Sequence, residues 1–275
     1  MTLVIFLITY IGVAIGRIPR LALDRTGIAL LGALAMVMTG AITPEEAHAS
    51  IHIPTLLLLY GLMIISAQLR LGGFYTWLAL RITRWIERPA VFLAGLMLVS
   101  GLLAAVLAND IICLAFTPVL VRALRQQRLR PLPFLLGLAM ATNLGSASTI
   151  IGNPQSMLIG QLGHLSFRNF LFWCAPPSFF GLLGTYGILL LQFHRRWHDP
   201  EPAVANVDPH EWPVFNAWQS VKGLAAAAAA TVLMLIGLPR ERTVLTLAGL
   251  LLMSRRMHTR RVLGLIDWHL ITLFC

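Results

Sequence analysis

Apolar residues along this 275-residue chain gather into nine blocks, at residues 3–15, 27–42, 55–69, 90–108, 111–124, 133–163, 170–193, 217–238 and 243–253. About 20 apolar residues are needed for a helix to cross about 30 Å of hydrocarbon. Several blocks approach that length and several are conspicuously short. One holds a run that does not suit hydrocarbon: ATNLGSASTIIGNPQ, residues 141–155, packs Asn143, Ser146, Ser148, Thr149, Asn153 and Gln155 with two glycines and a proline. Each unpaired polar group there costs several kcal/mol, so the segment needs a reason.

Composition confirms the pattern. With 57% hydrophobic and 12% charged residues and a mean hydropathy of +0.78, the chain falls outside the soluble globular class and is expected to be an all-α polytopic membrane protein. The first block lacks a basic n-region and a small-residue cleavage site, and is expected to be the first helix rather than a signal. The formal charge of +10 does not point to nucleic acid, because the basic residues lie in the connections. Cys113, Cys174 and Cys275 form no CxxC pair and are expected to be small buried hydrophobes. His48 and His52 have the spacing of a metal pair but sit beside Glu45 and Glu46 with no further ligand in view, which predicts a solvated loop.

Lys and Arg concentrate in cytoplasmic connections and so orient the spans. With Arg17, Arg20 and Arg25 inside, the N-terminus is outside and the first two blocks cross inward and outward. The third returns inward to Arg70, Arg81, Arg84 and Arg88, where GGFYTWLALRITRWIERP predicts a short interfacial helix. Residues 90–124 are interrupted by Asn109-Asp110 and have arginines at both ends. One crossing strands a cluster outside, and two need about 40 residues. A re-entrant hairpin with Asn109-Asp110 at its tip meets both constraints. Continuing through the remaining spans places 18 of the 21 basic residues inside, leaving Arg168, Arg240 and Arg242 outside.

RTGIALLGALAM at Arg25 is echoed by RTVLTLAGLLLM at Arg242, and IHIPTLLLL at Ile51 by IDWHLITLF at Ile266, with offsets of 217 and 215 residues. Five crossings and a hairpin separate the copies, so the second is inverted, the plan of many secondary transporters. The expected organisation is a first repeat at 1–193, with the hairpin at 90–124 and a broken helix at 133–163, a cytoplasmic linker at 194–216, and the start of a second inverted repeat at 217–275. Seven residues follow Trp268, about 10 Å of helix, so the second repeat is expected to be incomplete and the chain a fragment.

Within the polar segment Asn153 suits an N-cap and Pro154 an N1 position, so a new half-helix is expected to start there. Asp110 is expected to cap the arm that starts at Ile111. Two half-helix N-termini meeting near the midplane would make an anion site without Arg or Lys. Carbonyls released at residues 143–148, with the side chains of Asn109, Ser146 and Asp110, suit a hard monovalent cation. The bland alternative gives Asp110 a capping role only, and gives the glycines and serines to close helix packing. The alanine run at 225–230 predicts a packing face.

LANDIICLAFTPVLV, residues 107–121, resembles the hairpin of the ion transporter superfamily, which holds citrate transporter-like permeases, divalent anion:sodium symporters and arsenite efflux permeases. NLGSASTIIGNPQSMLIG, residues 143–160, resembles the broken fifth helix of the same group. The resemblance implies a first cation site at Asn109 and the loop near Gly145, and a substrate surface at Asn109, Asn153, Pro154 and Gln155. Asp110 stands where the symporters have a hydroxyl residue, and Ser156, adjoining the substrate residues, where an asparagine is common. The expected cation-coupling set is therefore Asn109, Asp110, Asn143, Gly145 and Ser146, and the expected substrate set Asn109, Asn153, Pro154, Gln155 and Ser156.

The expected activity is transport of a small anion by ion-coupled alternating access, with Na⁺ or H⁺ as coupling ion and no cofactor. Arsenite or antimonite efflux and sodium/proton antiport are the alternatives within the class. An inactive fragment, or half of a split transporter, is the alternative of another class. The Ser of GSAS lacks a deep His to act as its base, which disfavours an intramembrane enzyme. Expected partners are the anionic substrate, the lipid bilayer and a second copy in a homodimer, with no nucleic acid. The expected location is a bacterial inner membrane.

Overall fold

A computed structural model describes residues 1–16, 23–194, 196–198, 214–253 and 258–274. These form α1 (Thr2–Ile15), α2 (Arg25–Met38), α3 (Pro44–Ser50), α4 (Ile53–Leu71), α5 (Phe74–Ile82), a 3-10 turn at Thr83–Trp85, α6 (Pro89–Ala104) and α7 (Asn109–Gln126). After these come α8 (Pro131–Ala147), α9 (Pro154–Leu162), α10 (Phe167–Phe193), α11 (Ala217–Leu235), α12 (Arg240–Leu252), α13 (Thr259–Leu263) and α14 (Trp268–Leu273). No strand occurs among the described residues. The fold is all-helical, as the apolar blocks predict. Arg17, Arg20, Arg195, Arg255, Arg256, Cys275 and linker residues 199–213 lie outside the described residues. Helices α3, α4, α6, α8 and α9 each carry proline in the first turn, where its missing N–H is one the helix leaves unpaired anyway.

Helix α4 is the axis of the core. It is buried from Leu58 nearly continuously to Leu69, because α11 and α12 cover it on one side and α5 and α9 on others. Val244 of α12 seats on Gly61, where the absence of a side chain lets the helices approach. At the far end of α4, Gln68 Nε2 donates to Gln219 Oε1 of α11 at 2.7 Å, both side chains buried. Each amide offers the other a partner that the apolar surroundings lack. Ala226, Ala227 and Ala230 face inward on α11, so the alanine run is a packing face. By contrast α10 is long and apolar, yet only 6% of its most hydrophobic window is buried. Its surface suits lipid rather than water.

The hairpin is formed by α6 and α7, and side-chain register fixes its direction. Phe92 packs at a tilt against Phe134 with ring centroids 5.1 Å apart, Leu93 and Met97 face Gly137, and Gly101 faces Ala141 and Gly145. Helices α6 and α8 therefore run parallel. Helix α7 returns, its first residue Asn109 beside Asn143 and its far end leading to Leu129, which bridges to His198. Both ends of the hairpin thus lie on one face of the molecule, with its Arg88 and Arg128. Residues at the two described ends of the linker reach that face too: Trp197 O accepts from Arg130 N at 2.8 Å, and Asn216 N donates to Gly72 O at 2.9 Å.

Two expectations need correction. The His48–His52 segment is not simply a loop. Thr43 and Glu46 form a reciprocal capping box that starts α3, the T-x-x-E pattern that satisfies two free N–H groups. Hydrogen bonds from Thr43 hold the Glu46 carboxyl below its ordinary pKa. His52 in turn accepts from Thr55 N at the head of α4. The second correction concerns α7, which begins at Asn109 with Ala108 as N-cap. Asp110 therefore lies inside the first turn instead of capping it.

Arg88→Cys and Arg128→Cys, in a background without the native cysteines, are expected to react with a membrane-impermeant maleimide from one side of the membrane, and Glu241→Cys from the other. Labelling of positions 88 and 128 from opposite sides would refute the hairpin. A Cβ on Gly145 would fall 2.1 Å from the Gly101 carbonyl oxygen, whereas one on Gly184 meets nothing within 4 Å. Gly145→Ala should therefore cost about 1–3 kcal/mol in denaturant unfolding in detergent, and Gly184→Ala little.

Candidate functional site at the helix break

Helix α8 ends at Ala147 and α9 starts at Pro154, leaving residues 148–153 outside any helix. The chain breaks there because three local devices agree. Ser148 folds back, its Oγ donating to Gly145 O at 2.6 Å, while Ser146 Oγ donates to Asn143 O at 2.8 Å. Asn153, in extended backbone, accepts from Ser156 N at 2.7 Å through its side chain, and Pro154 fixes the next φ in the helical range. Gly152 lies where a Cβ would sit 2.3 Å from Ser146 O and 2.8 Å from Ala104 O. Only glycine permits that approach.

The tip of the hairpin plugs this break. Thr149 Oγ1 donates to Ala105 O at 2.5 Å, Cys113 Sγ lies 3.0 Å from Thr142 Oγ1, and Asn109 Nδ2 lies 3.5 Å from Asn143 Oδ1. Asn153 Nδ2 reaches Ser146 Oγ at 3.3 Å. Asn109, Asn143, Ser146 and Asn153 are thereby linked into one polar chain on which the N-termini of α7 and α9 converge. Among the described residues no Lys or Arg takes part in these hydrogen bonds. At 1.5 Å per residue, Asn143 lies about 18 Å along α8 from Pro131. The network is thus deep, and beyond the middle of a roughly 30 Å core measured from that end.

The expected site residues divide by position. Asn109 is 9% exposed, Ser146 and Ser156 are buried, and Asn153 is half-buried. Pro154 is buried at the head of α9, and Gln155 and Asn143 are exposed. Gly145 is held against Gly101 and serves close helix packing. Asp110 is exposed and lies within electrostatic reach of Asp267, the N-cap of α14. Helix α8 persists to Ala147, so the carbonyls expected to be released at 143–148 are partly taken: those of Asn143 and Gly145 accept hydroxyls. Cys113 and Cys174 are free and partly buried. Among the described residues no three His, Cys, Asp or Glu side chains group to hold a metal ion.

Sequence reasoning missed Thr149 and Gly101, the residues that join hairpin to break. A signal existed. Gly137, Ala141 and Gly145 recur every fourth residue on α8, and Gly101 is followed at the same interval by Ala105, the small-residue spacing that lets helices approach in a membrane.

An all-helical polytopic membrane protein in which a hairpin tip meets a broken helix is the class that fold and site define. The chain belongs to the citrate transporter family, whose pattern it matches over residues 4–275, and thus lies within the ion transporter superfamily. It is 30% identical over 198 residues to the transporter arsB of Dictyostelium discoideum, an alignment covering 70% of this chain and 35% of that protein. It is 33% identical over 175 residues to the silicon efflux transporter LSI3 of Oryza sativa subsp. japonica, covering 63% and 36%. With the P protein of Sus scrofa the identity is 30% over 249 residues, covering 86% and 28%. The chain spans about a third of the length of these curated relatives.

Asn153→Ala removes the α9 cap and the contact with Ser146. It is expected to lower unfolding stability by about 1 kcal/mol, while Asn153→Asp keeps the cap and most of the stability. Equal loss in both variants would show that the cap is not what Asn153 contributes.

Proposed function

We propose that this chain supplies the hairpin and broken-helix half of a secondary transporter that moves a small carboxylate or inorganic anion by alternating access, coupled to a Na⁺ or H⁺ gradient. The observation that carries this reading is the convergence of two helix N-termini on the Asn109–Asn143–Ser146–Asn153 network. Helix N-termini present N–H groups and a partial positive charge. The amides add neutral donors and acceptors whose desolvation costs far less than that of a buried arginine. In the complete transporter an inverted second repeat faces this half-site. The family and relatives support transport, and no catalytic step is assigned.

Asn109, Asn153, Pro154, Gln155 and Ser156 are assigned to the substrate, with Asn109, Asn143, Ser146 and Asp110 near the coupling ion. We place the chain in a bacterial inner membrane; the arginine distribution supports the N-terminus outside, and the exposed α10 surface suits lipid or a second copy of the chain. An efflux permease is the second reading. It is favoured by the relatives named as arsB and as a silicon efflux transporter, since the same amides would bind a hydroxylated uncharged solute.

In the complete protein in proteoliposomes, Asn109→Ala and Asn153→Ala are each expected to reduce uptake of radiolabelled citrate at least about tenfold with membrane insertion intact. Unchanged uptake in both variants overturns the site.

A further inference from the structure

The face opposite the hairpin's two ends carries a separate polar cavity of about 540 Å³, formed where α9 and α11 end and α10 and α12 begin. Arg168, Arg240 and His164 line it, and Glu241 is its one acid among the lining residues. Arg240 is fixed in place. Its Nη1 donates to Gly160 O at 3.1 Å and its Nη2 donates to Leu165 O, so its charge is held at the cavity wall. Arg168, one residue into the first turn of α10, is exposed and makes no hydrogen bond or ion pair among the described residues. Gln161 Nε2 is shielded from solvent and has no acceptor.

Two helix N-termini add to this field. Helix α10 is capped by Ser166, whose Oγ accepts from Asn169 N. Helix α12 has Pro239 as N-cap, with no side chain to take its first N–H groups, which leaves them turned toward the cavity's end of the helix. Fixed guanidinium, free guanidinium and uncapped helix all favour the same kind of guest. We propose that this cavity is a second binding site, for a small oxyanion bearing carboxylate or phosphate-like oxygens, distinct from the network at the helix break. Arg168 supplies the two-pronged contact that such oxygens accept. Arg240 supplies a fixed charge beside it. The cavity's size lies within the range of small-molecule sites. Treating Arg168 as a solvated rim charge accounts for that side chain but not for the second guanidinium, Arg240, fixed at the same cavity wall.

The site is about 14 Å of helix, the length of α9 at 1.5 Å per residue, from Asn153. It can therefore be tested without reference to transport. With the 275-residue chain purified in phospholipid-free detergent micelles, equilibrium dialysis of ³²P-labelled inorganic phosphate and ¹⁴C-labelled citrate should show saturable binding that weakens as salt is added. Arg168→Gln is expected to weaken binding about tenfold or more, Arg168→Lys less, and Gly184→Ala, where an added Cβ meets nothing within 4 Å, by less than about twofold. Arg168 is exposed and unpaired, so its replacement should leave thermal unfolding unchanged. No saturable binding up to about 10 mM, equal binding by Arg168→Gln, or loss of binding in Gly184→Ala would each overturn the assignment. Displacement of the anion by equimolar phosphatidylglycerol would overturn a free oxyanion as the natural occupant.

Discussion

A peptide group removed from water must find a partner within the protein, and leaving it unmade costs about 1–3 kcal/mol. That constraint organises the break between α8 and α9. Six residues, 148–153, lie outside the two helices, yet Ser146, Ser148, Thr149 and Asn153 turn side-chain oxygens and amides onto neighbouring backbone or onto one another. The hairpin tip completes the set, because Ala105 O accepts from Thr149. The contact is reciprocal: the hairpin covers the break, and the break gives the end of α6 a partner it would otherwise lack at that depth.

Much of this was legible in the sequence, and the reasons are local. Asn153-Pro154 is a helix start by capping geometry alone, whatever packs around it. Arg88 and the cluster from Arg122 to Arg130 demand a shared face by charge alone, and the register of α6, α7 and α8 delivers it. What stayed hidden depends on neighbours distant in sequence. Gly145 looks like a candidate cation-loop residue until Gly101 is found against it. Asn109 and Asp110 are both good capping residues, and the chain starts α7 at the first of them with Ala108 ahead. The Thr43 capping box is written in TPEE, where Glu46 satisfies a free N–H group of a helix start and so is more than a solvated loop charge.

As proposed anion sites, the polar network and the opposite cavity would answer one electrostatic problem in different dielectrics. Deep in the apolar layer, Asn109, Asn143 and Asn153 are neutral and helix ends supply positive potential without a net charge. Near the surface, where water shares the desolvation cost, Arg168 and Arg240 carry full charges. Relatives of the chain carry names as different as silicon efflux transporter and P protein. A framework of hairpin, break and small-residue contacts is compatible with that spread, since it sets backbone positions and leaves exposed side chains such as Gln155 to vary.

The two pieces of the broken helix are moored to different bodies. Helix α8 is locked to α6 by the Gly101–Gly145 approach, while the far end of α9 is tied to α12 through Arg240, which takes Gly160 O and Leu165 O. Any displacement of one body against the other must be absorbed between Ala147 and Pro154. Those few residues are then a mechanical joint as well as a polar surface, and a solute held by Asn109, Ser146 and Asn153 would sit on the hinge pin itself.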